Sequence, residues 1–213
     1  MKQVLILGAG GRIAHFAEQF ILEQPDTQLT LFLRHPNQLH EIEEARETVI
    51  EGDVTDLNLL NAAIEGQDIV YANLAGQDIE RQAKNIVQAM QNKGVKRLLW
   101  ISTLGIYDEV PGAFGEWNHQ MLDDSYLPTY TAAAKVIEDS NLDYTIIRPA
   151  WLQNNDEVDY ETTQKGEPFK GTEASRKSIG AFIASLVAHP HREIRQSVGV
   201  NKPNTDGDKP AWY

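Results

Sequence analysis

The spacing of apolar and polar residues changes period along the chain, and each change predicts an element. Lys2–Leu7 ends in an unbroken apolar run, VLIL, as a strand buried on both faces requires. Over 12–23 the apolar positions Ile13, Phe16, Ala17, Phe20 and Ile21 fall on one helical stripe. Thr27–Leu33 (TQLTLFL) reads as a second strand and 48–50 as a short third. Asp56 is placed to cap a helix running through Ile64. A fourth strand is predicted over 68–74 (DIVYANL), then a helix over 80–92, with Gly94 as its stop signal. A fifth strand covers 96–103 (KRLLWIST). An alanine-rich helix covers 128–141, and a sixth strand over 143–148 ends at Pro149.

Strands separated by helical patterns require right-handed crossovers and a parallel sheet. The expected fold is therefore α/β: a Rossmann-like, doubly wound parallel sheet with helices on both faces. After Pro149 the pattern loosens. The segments 157–162 and 167–170, either side of QKG, are expected to form a hairpin. Ser175 is placed to cap a helix through Val187, 194–200 reads as a last strand, and the tail NKPNTDGDKPAWY is rich in turn residues and expected on the surface. The organisation expected is one domain over 1–213, with residues from about 150 onward forming a small C-terminal substrate lobe.

Composition narrows the class. Of 213 residues, 41% are hydrophobic and 23% charged, the balance of a water-soluble globular domain. No apolar stretch approaches the roughly 20 residues of a membrane span, and the N-terminal apolar run is too short for a signal peptide. With no cysteine, neither a disulfide nor a thiolate zinc site can form. These features predict a cytoplasmic protein that does not engage a membrane. No His pair or carboxylate cluster has metal spacing, so no metal is expected. The net charge of −12 argues against nucleic-acid binding, which depends on Lys and Arg neutralising phosphates. The expected partner is a small molecule; the oligomeric state stays open.

The chemistry is concentrated in GAGGRIA, immediately after the first strand. Such a loop gives a sharp turn, close backbone approach to a diphosphate, and free N–H groups at a helix N-terminus. A tight turn that binds nothing is the bland alternative. Read as G-x-G-x-x-G, the motif is Gly8, Gly10 and Ile13, and its last position fails. Read as G-x-x-G-x-x-G, it is Gly8, Gly11 and Ala14, with Ala replacing a glycine that serves helix–strand packing. The second reading is better.

On these residues the sequence resembles the short-chain dehydrogenase/reductase superfamily, and within it the atypical NAD(P)-binding branch of nitrogen-metabolite-repressor-like and flavin-reductase-like proteins. Gly8, Gly11 and Ala14 match its first motif. The resemblance implies that Asp53 and Val54 meet the adenine ring, and that Asn73, Leu74, Ala75 and Gly76 line the ribose. It puts the hydroxyls of Ser102 and Thr103 beside the nicotinamide and matches Arg148-Pro149 to the end of the sixth strand. All lie at the carboxyl ends of predicted parallel strands, where such sheets bind ligands. Each also has a plain reading: Asp53 as a turn cap, Ser102 and Thr103 as strand-end hydroxyls, Asn73 as a loop bond.

The cofactor is expected to be NADP(H) rather than NAD(H). Where an NAD site places an acid, the second strand ends in Arg34, which can pair with a 2′-phosphate, and Arg12 in the loop offers a second cation. With Ile13 these complete the expected cofactor set.

The superfamily's proton relay is Tyr-x-x-x-Lys, and here the sequence departs from it. In TYTAAAKV, Lys135 is present, but Thr131 stands four residues before it and cannot act as the acid. Tyr130 is displaced by roughly 100° around the helix. Ser102, Tyr107 and Lys135 are the expected catalytic residues, with Lys135 also a cofactor contact and His119, Tyr126 and Tyr130 as further proton-donor candidates. Pro149 is expected against the cofactor. Phe114, Trp117 and Trp151 are candidates for a pocket wall. Ser175-Arg176-Lys177 resembles a family segment that helps close the lobe. The activity expected is an NADP(H)-dependent oxidoreductase acting on a small carbonyl, quinone or flavin-like acceptor. The alternative is a non-catalytic redox-sensing regulator of the nitrogen-metabolite-repressor type. A nucleotide-sugar epimerase is a third class, disfavoured by the short chain and the missing Tyr.

Overall fold

A computed structural model describes residues 1–39, 41–122 and 126–213. In chain order the elements are β1 (Lys2–Leu7), α1 (Arg12–Leu22), β2 (Thr27–Leu33), β3 (Glu47–Glu51), α2 (Leu57–Ile64), β4 (Ile69–Ala72), α3 (Ile79–Lys93), β5 (Arg97–Ile101), α4 (Gly112–Leu122), α5 (Tyr126–Glu138), β6 (Asp143–Pro149), β7 (Trp151–Gln153), β8 (Glu161–Gln164), β9 (Glu173–Ser175), α6 (Arg176–Ala188) and β10 (Gln196–Asn201). Eight strands form one sheet in the order β3-β2-β1-β4-β5-β6-β10-β8. All pairs are parallel except the edge pair β10–β8. The strand order reverses between β1 and β4, the switch point where open α/β sheets bind ligands.

The apolar run of β1 lies at the middle of this sheet. Val4 and Ile6 pack on one face with α1 and α6, while Leu5 and Leu7 pack on the other with α2, α3 and α5. The period of two in a strand thus divides one run between two cores. Asp56 caps α2 by accepting from the amides of Asn58 and Leu59, and Gly94 closes α3 in the left-handed conformation at φ 70°. Ser175 caps α6 by accepting from the amide of Ser178. Gly180 lets α6 close on α1: a Cβ there would stand 2.6 Å from Phe16 Cβ and 2.9 Å from the Ala17 nitrogen.

The expected hairpin does not form. β8 pairs antiparallel with β10 instead, and 167–170 is irregular. Phe169 is drawn inward, its amide donating to the Glu109 carbonyl, and its ring fills the space beside Gly199. The last strand starts at Gln196 because Glu193 and Arg195 adopt positive φ just before it. The sequence pattern also missed α4 and the small parallel pair β7–β9. Glycine at 112 and 115 hides α4. Gly115 is needed because a Cβ would come 2.0 Å from the Val110 carbonyl oxygen. Among the described residues no helix is long and apolar enough to cross a membrane.

Candidate active site

The glycine loop joins β1 to α1 at the switch point. Gly8 takes φ 78°, and a Cβ there would collide with the Asn73 carbonyl oxygen at 2.2 Å. Gly11 is the N-cap of α1, with no side chain bonded to the first-turn amides and no acid in that turn. These amides face a ligand position rather than a cap. Ala14 is fully buried, so its methyl fits where the family motif has its third glycine. Ile13 is buried as well and reaches the wall of the second cavity described below.

Two cavities meet over this loop. One, of about 290 Å³, contains Gly8, Gly10 and Gly11, then Arg34, Asp53 and Val54, with Asn73, Leu74 and Ala75 along its side. The other, of about 550 Å³, shares Gly11, Asn73, Leu74 and Ala75 and extends past Ser102, Thr103 and Pro149 to Tyr126 and Tyr130. Together they make a groove across the carboxyl edge of the sheet, from Arg34 and Asp53 at one end to Tyr126 and Tyr130 at the other. The fit is also local. The loop glycines leave backbone exposed where side chains would block it, and Gln82 Oε1 in the first cavity and Ser102 Oγ in the second are buried without a partner. Gln82 was not legible as a site residue from the sequence.

Arg34 directly follows β2 and is exposed at the first cavity, as its position predicted. Asp53 does both things the sequence left open. It caps the following turn, accepting from the Thr55 amide at 2.8 Å, and it lines the cavity. That hydrogen bond and the Thr55 side chain hold its carboxyl below the usual range, helped by Arg34 and Arg81. Gly76, at φ 125°, turns the chain into α3 but does not line the groove. Arg12 is not beside Arg34. As the first residue of α1 it projects to the far side of the loop, into a separate cavity of about 430 Å³ that also contains Glu18 and Asn154. The two arginines therefore do not converge on one phosphate.

The catalytic expectations are redistributed. Ser102 is 5% exposed and lines the second cavity, and its hydroxyl is buried without a hydrogen-bond partner. Tyr126 and Tyr130 stack beside it, ring centroids 4.3 Å apart and planes at 21°. The Tyr130 phenol is pushed up, first by burial and then by Tyr126, with which it shares a hydrogen bond. Lys135 is elsewhere. The buried stripe of α5 is Leu127, Tyr130, Ala133, Ala134 and Ile137, so position 135 points to solvent, where its ammonium pairs with Asp139 at 2.9 Å. Four residues beyond Tyr130 stands Ala134, and Thr131 donates to the Ile106 carbonyl at 3.2 Å. Tyr107 is also outside the groove. Its hydroxyl donates to Glu138 at 2.8 Å, the Lys165 ammonium sits 4.0 Å from its ring centre, and burial drives its pKa up. His119 contacts the Asp108 carboxylate at 2.9 Å.

Arg148 is fully buried and structural. It pairs with Glu109 and donates to Ser197 Oγ at 3.1 Å, while Pro149, next in the chain, lines the groove. Glu109 also accepts from the amides of Gly105 and Tyr107, each at 3.0 Å, so one carboxylate ties the turn after β5 to β6. Trp151 lines the second cavity with Trp212 and Tyr213 of the tail, and Trp117 packs on Trp151 at 4.7 Å between centroids. Arg176 lines the same cavity. Among the described residues no group of three His, Cys, Asp or Glu side chains is arranged to hold a metal.

Residues 8–190 match the NAD(P)H-binding family, and the chain belongs to it. A Rossmann-fold NAD(P)-binding family protein from Shigella flexneri is 42% identical, with a TM-score of 0.86 over 99% of this chain and 98% of that one. A short-chain dehydrogenase/reductase from Veillonella parvula, solved in complex with NADP, is 32% identical, with a TM-score of 0.89 over 99% of each chain. Quinone oxidoreductase 2 of Escherichia coli (strain K12) is 23% identical over 213 residues, 98% of this chain and 70% of that protein. The fold is that of an NAD(P)-binding oxidoreductase, and the superfamily resemblance carried by the glycine loop and the strand ends holds.

Proposed function

We propose that the protein is an NADP(H)-dependent oxidoreductase that reduces a quinone or flavin-like acceptor without a Tyr-x-x-x-Lys relay. In this reading Gly8, Gly10 and Gly11 hold the diphosphate, Asp53 and Val54 the adenosine end, and Asn73, Leu74 and Ala75 the ribose. Arg34 selects the 2′-phosphate. The bound cofactor supplies a hydride. The segment from about residue 150 onward supplies the acceptor side of the groove, and the protein works in the cytoplasm on a small molecule.

The observation that carries the reading is Ser102 in the wall of a cavity continuous with the cofactor groove, its buried hydroxyl without a hydrogen-bond partner. In this reading the hydroxyl turns into the cavity and donates to an acceptor oxygen. The Tyr126–Tyr130 pair supplies a second phenolic donor. Among the described residues no ammonium pairs with Tyr130, and with its pKa raised it stays protonated and is a poor source of a full proton. A simple carbonyl becomes a strongly basic alkoxide on reduction and needs such a proton. A quinone becomes a phenolate-like anion, stable near the ordinary phenol pKa of about 10 and able to take its proton from water. The acid-poor site therefore favours the quinone class, the class named for the Escherichia coli relative. The test is NADPH consumption with quinones, flavins and aldehydes as acceptors. Quinone turnover well above aldehyde turnover is expected. Tight cofactor binding with no turnover on any acceptor would instead support the second reading, a redox-sensing regulator, which the absence of a lysine beside Tyr130 favours.

A further inference from the structure

We infer that Arg176, from the C-terminal segment, is a binding residue for the cofactor diphosphate and closes over the glycine loop opposite the α1 N-terminus. The inference rests on the NADP(H) reading above. Arg12 is the first residue of α1 and Arg176 the first of α6, and neither helix has an acid in its first turn. The contact at Gly180 brings the two helices together. Arg176 and Gly11 share one cavity wall, and Asn154, the partner of Arg176, shares another with Gly10 and Gly11. Arg176 thus stands over the loop that takes the diphosphate.

Its hydrogen bonds go to neutral acceptors, Asn154 Oδ1 at 2.7 Å and the Leu152 carbonyl at 3.4 Å. Among the described residues no carboxylate pairs with the guanidinium. Arg176 is half-buried, and burial together with the charge of Arg12 disfavours its protonated form. Arg176 and the α1 N-terminus share the groove wall, where a doubly charged anion would offset the guanidinium and the helix dipole together, while Arg12 adds its charge from the far side of the loop. Because Arg176 is tied to Leu152 and Asn154, an anion held there also fixes the wall that Leu152 contributes to the acceptor cavity.

The test is equilibrium titration of wild type, Arg176→Ala, Arg176→Gln and Arg176→Lys with three probes: NADPH, 2′-phospho-ADP-ribose and adenosine 2′-monophosphate, which lacks the diphosphate. Losing a charge-assisted pair should weaken the first two about 10- to 100-fold in the Ala and Gln variants, with partial recovery in Lys. Adenosine 2′-monophosphate should bind all four proteins equally. Gln keeps a donor for Asn154, so a loss shared by Ala and Gln is not a folding artefact. Unchanged NADPH affinity with a raised acceptor KM would overturn the assignment and give Arg176 to an anionic acceptor. Equal weakening of all three probes would overturn it in favour of loop damage. A wild-type protein that binds none of them overturns the NADP(H) reading and this inference together, whereas a wild type that binds with variants unaffected overturns this inference alone.

Discussion

The Asn73 side-chain amide occupies the space that a Cβ on Gly11 would fill, at 2.0 Å, and lies 3.5 Å from the Gly8 carbonyl oxygen as donor. β4 thus latches the loop after β1 through one residue, and only glycine fits beneath it. Gly11→Val should abolish NADPH binding, and the collision should also cost stability, on the order of 1–3 kcal/mol for overpacking. Adding Asn73→Ala should recover much of that stability but little of the binding, because the valine still blocks the diphosphate. Chemical denaturation and NADPH titration of both variants test this. Wild-type affinity in Gly11→Val would reduce the loop to a turn.

Arg34 stands at the end of β2 with Asp53 across the cavity. Arg34→Asp should weaken NADPH far more than NADH, by about tenfold or more for a lost charge-assisted pair. The ratio of the two dissociation constants is the measurement. Equal effects on both cofactors would remove Arg34 from the 2′-phosphate.

Ser102→Ala should lower kcat for a quinone by about 10- to 100-fold while leaving NADPH affinity unchanged, the loss expected when one polarising donor is removed. Tyr130→Phe should have a smaller effect, since Tyr126 remains. Lys135→Ala should leave kcat and cofactor affinity unchanged, because its ammonium sits in solvent with Asp139. A large kinetic defect in Lys135→Ala would mean that α5 turns when ligands bind.

Glu18 is 5% exposed on α1, and burial followed by the nearby Glu47 raises its carboxyl to about 7. Below the ordinary value of 4.5 it is protonated in both folded and unfolded chains and contributes no pH dependence. Between 4.5 and about 7 the fold keeps a proton that the unfolded chain releases, so stability falls as pH rises, and the loss is complete above about 7. Glu47, also raised by burial, adds to the same slope. Glu18→Gln should therefore be more stable than wild type at pH 8, on the order of 1–2 kcal/mol after solvent screening, with little difference at pH 4. Urea titrations at the two values are the check. No gain at pH 8 would mean that the carboxylate finds compensation in the fold.

The parallel sheet was legible because each strand is an apolar run bounded by turn residues, and the cofactor loop because its glycines follow β1 directly. Of the three expected catalytic residues, Ser102 lines the groove, while Lys135 and Tyr107 lie outside it, Lys135 for a geometric reason. One helical residue is about 100° of rotation, so Tyr130 and Lys135 cannot share a face, and the buried stripe of α5 chose the tyrosine. Tyr107 was misplaced because nothing local in the sequence shows Glu109 folding the turn after β5 onto Arg148. Arg12 was expected beside Arg34 because both flank the cofactor site in the sequence, yet they lie on opposite sides of the loop. Arg176 had a faint signal, SRKSIG, in which a helix opens on two cations with no acid behind them. Its meaning depends on α6 lying against α1, which no short window contains.

The Glu109 staple has a consequence for how this scaffold changes. The turn after the Ser102 strand end is fixed by one carboxylate that serves two amides and a buried guanidinium, so it cannot drift by small steps. By contrast, Trp212 and Tyr213 face the same cavity from a half-exposed tail that carries none of the sheet. On the proposed function, acceptor preference can be retuned there one residue at a time, with Ser102 left where it is. Diversification should accumulate at the tail and stall at the turn.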